Sequence, residues 1–147
     1  MSTADQQALT DALNAEYAAV YAYGVISAYA AADRNKIVVD FTAAHRAQRD
    51  ATIDALKALG APVPGPAAAY PPPSPVNDPI PAAKFAVTVE TDTAIAWRSA
   101  VERADSATIR RTGAQALADC SIRLATWQKI LGTSPATVAF PGRPAQS

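Results

Sequence analysis

The chain has 147 residues, enough for one domain that buries a sizeable core. Lys+Arg and Asp+Glu number 13 each, so the formal net charge is zero, and the basic excess that grips nucleic acid or an anionic membrane is missing. Cys120 is the single cysteine, which excludes an intrachain disulfide and gives no sign of an oxidising compartment.

The opening "MSTADQQALTDALNAEY" has no basic segment followed by an apolar block, unlike a signal peptide. The apolar run "YAAVYAYGVISAYAAA" falls short of the ~20 residues a bilayer requires. A cytoplasmic, soluble protein is expected, with neither nucleic acid nor membrane as partner.

A 3.6-residue apolar period predicts four helices. The first covers about Asp5 to Ala32, with Leu9, Leu13, Glu16, Val20, Tyr23 and Ser27 on one stripe. Tyr17, Tyr21, Tyr23 and Tyr29 point to several sides of it, more than one stripe can bury, so a subunit interface or rim packing is expected to take the rest. After a break at Asp33 and Asn35, the second covers about Arg34 to Leu59, with Val38, Phe41, His45, Thr52 and Leu56 inward, and Gly60 stops it.

"APVPGPAAAYPPPSPVNDPIP" holds most of the 12 prolines and cannot be helical, because proline lacks the N–H and clashes with the preceding turn. A helix of ~26 residues is ~39 Å long, and ~18 extended proline-rich residues reach up to ~56 Å. The segment 60–80 can therefore run the full length of the bundle and start the third helix parallel to the second. Two antiparallel hairpins joined by one long crossover is the ferritin-like arrangement. The third helix is expected from about Pro81 to Arg103, with Phe85, Val89, Ala96 and Ala100 inward and Trp97 at the edge. The fourth runs from a Ser106 cap to about Leu131 through Ile109, Gly113, Ala116, Cys120, Leu124 and Trp127. Residues 132–147 form a non-helical tail whose Val138, Ala139 and Phe140 can dock on the bundle or on a second subunit. The whole chain, 1–147, reads as a single all-α domain.

Several polar residues fall on these inward stripes at one mid-bundle level: Glu16, His45, Arg49, Glu90 and Arg123, with Asp119 further out. Two readings compete. A ferritin-type di-metal centre takes one Glu from each of two helices and a Glu-x-x-His pair from each of the others. Glu16 and Glu90 suit the single positions, but Thr42 stands three residues before His45, and the fourth helix has no histidine. A reduced iron or manganese site would use Glu16, His45, Glu90 and Asp119. In the other reading no cofactor is bound, and Arg49 and Arg123 supply the positive charge, since guanidinium stays protonated and pairs bidentately with carboxylates.

The stretches "AEYAAVYAYGVISA", "AHRAQRDATIDALKALGA", "VETDTAIAWRSAVE" and "LATWQKILGTSPATVAFPG" resemble an uncharacterised actinobacterial family of ferritin-like proteins, from about Ala8 to Gly142. The resemblance implies a ferritin-like four-helix bundle that associates as a homodimer. Its pattern carries over at Glu16, His45, Arg49, Asp50, Glu90 and Trp97. Where members of that family often read Glu-His, this chain has Glu16–Tyr17, which removes a possible second imidazole. The leading expectation is a non-catalytic bundle that acts by association with itself or a protein partner. The alternative is a carboxylate-bridged metal oxidoreductase or iron-handling protein.

Overall fold

The computed structural model describes residues 2–144; the end of the expected tail, 145–147, lies outside the described residues. Four long helices make up the fold, with no strand among the described residues: α1 (Thr3–Tyr29), α2 (Asn35–Ala58), α3 (Pro79–Arg103) and α4 (Ala107–Ile130). None is long and apolar enough to cross a membrane.

Each helix starts and stops for a local reason. Ser2 caps α1 by accepting from the Asp5 N–H, and Ser106 caps α4 by accepting from the Ile109 N–H. Helix α3 begins two residues earlier than the periodicity predicts. Pro79 sits in its first turn, where a missing N–H costs nothing. α1 ends at Tyr29, and a short 3₁₀ turn, Ala32–Arg34, leads into α2. α2 and α4 finish alike. Gly60 (φ 67°) and Gly132 (φ 76°) adopt the left-handed conformation, Ala61 N–H reaches back to the Leu56 carbonyl (3.0 Å), and Thr133 N–H to that of Gln128 (2.9 Å).

Helix directions follow from what meets at each end. Asp5, at the start of α1, accepts from the backbone N–H groups of Asp105 (2.8 Å) and Ser106 (3.0 Å) between α3 and α4, and Ser2 Oγ also donates to Asp105. At this end Leu9 and Leu13 pack with Leu56, Trp97, Ala100 and Ile109. At the other end Tyr23 and Ile26 pack with Val38, Phe85, Val89 and Trp127. α2 and α3 are therefore parallel to each other and antiparallel to α1 and α4.

The crossover, residues 59–78, makes this possible. It lies along α1: Val63 packs at the first end, Tyr17 donates to the Pro64 carbonyl (2.8 Å), Tyr21 meets Tyr70 edge-on at 5.7 Å, and Val76 joins the second cluster. Two of the surplus tyrosines of α1 are thus engaged by the chain's own proline-rich strap. The tail turns back along α4, and its Gly142 (φ 77°) sits so close to α3 that a Cβ there would lie 2.6 Å from the Ala94 carbonyl oxygen.

Candidate functional site

Between the two apolar clusters lies a polar layer built from all four helices. Glu16 on α1, His45 on α2 and Glu90 on α3 are each 0% exposed, and Arg123 on α4 is 9% exposed. The inward stripes bring them to one level because each helix buries the same face along its length.

The layer centres on His45. Its Nδ1–H donates to Glu16 Oε2 (2.6 Å), and its Nε2–H donates to Glu90, 2.9 Å from each carboxylate oxygen. Facing carboxylates on both sides, the ring carries both protons. Arg123 Nε donates to Glu90 Oε1 at 2.8 Å, and its Nη2 approaches the Cys120 sulfur at 3.3 Å. Aromatic donors take the remaining oxygen positions. Trp97 Nε1–H reaches Glu16 Oε1 (2.8 Å), and Tyr23 Oη–H reaches Glu90 Oε2 (3.1 Å) while accepting from Trp127 Nε1–H (3.0 Å). Among the described residues, no buried side-chain nitrogen or oxygen lacks a partner.

Two carboxylates, one imidazolium and one guanidinium sum to zero charge, which is what a dry layer demands. Burial disfavours the charged imidazole, but the hydrogen bonds it donates to Glu16 and Glu90, and their charges, outweigh it and raise the His45 pKa to about 9. Burial would likewise raise the Glu90 carboxyl. His45 first and Arg123 second reverse that and hold it below its ordinary range. Arg123 is held protonated against the cost of burial by the Glu90 charge. Burial, reinforced by the Glu90 charge, pushes the Tyr23 hydroxyl and the Cys120 thiol well up, so both stay neutral.

Arg49 does not join this layer, contrary to expectation. Its Nε pairs with its neighbour Asp50 (2.8 Å), and its side chain is 28% exposed beside Tyr17, Tyr21 and the strap. It stands about 40° around the helix from His45, and that offset is enough to turn its long stem out of the core. The second positive charge comes from Arg123, with His45 providing the first. Trp97, expected at the edge, is fully buried. The donor roles of Trp97, Tyr23 and Trp127 escaped the inward-stripe reading. The rule that a buried Trp or Tyr must find an acceptor would have paired them with the two glutamates.

The four residues of the reduced metal set are not all brought together, because Asp119 stays outside the layer. Asp119 is half-exposed and accepts from Gln115 on its own helix (3.3 Å). Both ring nitrogens of His45 are bonded to the carboxylates of Glu16 and Glu90. Among the described residues, no group of three or more His, Cys, Asp or Glu is placed to hold a metal ion.

A family model described as a domain of unknown function, DUF4439, matches residues 8–145. The chain belongs to this family. It is also similar to a solved structure, the crystal structure of a conserved hypothetical protein from Mycobacterium tuberculosis. The two share 38% identity and a TM-score of 0.85, over 88% of this chain and 98% of that one. No curated protein matches the chain.

Proposed function

We propose that this chain is a ferritin-like bundle in which His45 and Arg123 replace the di-metal centre, and that it serves as a non-catalytic cytoplasmic module, dimeric and acting by association. The single observation that carries this is the charge-balanced layer itself. Two glutamates of the kind that would bridge metals are neutralised by an imidazolium and a guanidinium, with every buried donor and acceptor used. Glu16, His45 and Glu90 are fully buried and stand in the wall of none of five surface pockets, which supports a structural reading of the layer.

Association is supported by apolar side chains left exposed on α4 and on the returning tail. Ile122 on α4 is 66% exposed, and Val138 and Phe140 on the returning tail are 43% and 65% exposed. The Tyr17–Tyr21 side is partly taken by the strap and is a weaker candidate. The test has two parts. Protein purified without chelator, from cells grown with added iron and manganese, carries well under one metal ion per chain; near-stoichiometric metal overturns the replacement. Sedimentation of the native chain gives a dimer that Ile122→Asp with Phe140→Asp converts to monomer. A native monomer with no partner removes the association half of the reading.

A further inference from the structure

The end of the bundle where α1 passes to α2 contains a pocket of about 490 Å³ that the polar layer does not use. Its volume lies within the ~300–1,000 Å³ typical of small-molecule sites. The Ala30–Arg34 turn forms one wall, the start of α3 a second, and the end of α4 the third. Half-buried Ile130 and Leu131 supply the apolar surface of the interior, with Ala83 and Trp127 buried just beneath it, and Ile80 stands at the lip, 62% exposed. The one indole N–H here is already given to Tyr23, which leaves the Thr133 hydroxyl as the polar side-chain group of this wall.

Charge at the mouth is uneven. Arg34 and Lys84 border it against the single acid Asp33, whose carboxylate is 3.8 Å from Arg34. Lys84 forms no ion pair among the described residues. An apolar recess with a net positive rim complements a ligand that is anionic at one end and hydrocarbon at the other. A neutral polar molecule finds few partners inside, and a cation meets like charge at the entrance.

We infer that this end pocket binds an amphipathic monocarboxylate of medium chain length. The carboxylate sits between Lys84 and Arg34, and the alkyl chain covers Ile80 and lies along Ile130 and Leu131, above the buried Trp127. The site is independent of the association reading. It touches the polar layer indirectly, since Trp127 is hydrogen-bonded to Tyr23 and Tyr23 to Glu90.

Sodium decanoate below its micellar concentration is titrated into the native full-length chain, with tryptophan emission and calorimetric heat as readouts. Saturable binding heat is expected, with a change in emission as the floor of the pocket above Trp127 is shielded from water. Lys84→Glu, an exposed position, weakens it about tenfold, added salt weakens it further, and decylammonium does not compete. Ile80→Asp, at the exposed lip, weakens it as well. Three results overturn the inference: no heat and no emission change, equal binding of decylammonium, or decanoate affinity unchanged in both variants.

Discussion

Replacing His45 with leucine removes the cation shared by Glu16 and Glu90 while keeping a side chain of similar bulk in the core. Both carboxylates stay buried. Glu90 keeps Arg123 and Tyr23, whereas Glu16 keeps only the Trp97 N–H. Breaking a buried pair in this way costs about 3–5 kcal/mol. Proton linkage gives an independent figure. A folded pKa of about 9, set against ~6.5 for an unfolded histidine, corresponds to about 3 kcal/mol. The sign follows from the raised value. The contribution is fully present below pH ~6.5, fades as the pH rises, and is gone above the folded value near 9. Urea unfolding followed by circular dichroism is therefore expected to show the native chain losing about 3 kcal/mol between pH 6.5 and 9.5, while His45→Leu, already weaker at pH 6.5, shows no such loss. At pH 6.5 the melting temperature of the variant falls by about 6–12 °C. A native stability that stays flat across this range, or a cost under about 1 kcal/mol for the variant, would refute a charged His45 at the centre of the layer.

The two arginines should behave oppositely in the same unfolding assay. Arg123→Met is expected to cost about 2–3 kcal/mol by leaving Glu90 short of one charged donor, and Arg49→Met to stay within about 0.5 kcal/mol. Cys120, buried and with its thiol pKa raised, should resist a thiol reagent in the native chain and react at the rate of global opening, as checked by colorimetric thiol titration across urea concentrations. Gly142→Ala strains a positive φ and drives its Cβ into the α3 backbone, so the tail should detach. Limited proteolysis then cuts within 132–144 sooner, while the unfolding midpoint of the helices barely moves.

The inward stripes were legible because helix periodicity is a property of the backbone, and it carried Glu16, His45, Glu90 and Arg123 to one level without any knowledge of contacts. The crossover was legible from reach alone, since prolines forbid helix and an extended strand is long enough. Arg49 shows where this reasoning fails. Near a helix edge the direction of a long flexible side chain is set by the nearest partner, here its own neighbour Asp50, and wheel angle does not encode that. Asp5 was invisible for a different reason: its partners are backbone N–H groups a hundred residues away, which have no residue-type signature. Of the family resemblance, the part that stands is membership of a family of unknown function over residues 8–145.

The polar layer separates the hydrocarbon interior into two clusters that share no residue, one around Leu9, Leu56 and Trp97, the other around Ile26, Phe85 and Trp127. Trp97, Tyr23 and Trp127 remain coupled through the hydrogen bonds of that layer. Substitutions at residues outside its network, such as Leu9 in one compartment and Phe85 in the other, are expected to sum. An engineer could thus redesign one chamber for a new guest while leaving the opposite chamber untouched. The wild sequence can likewise drift at either pole without the far pole having to compensate.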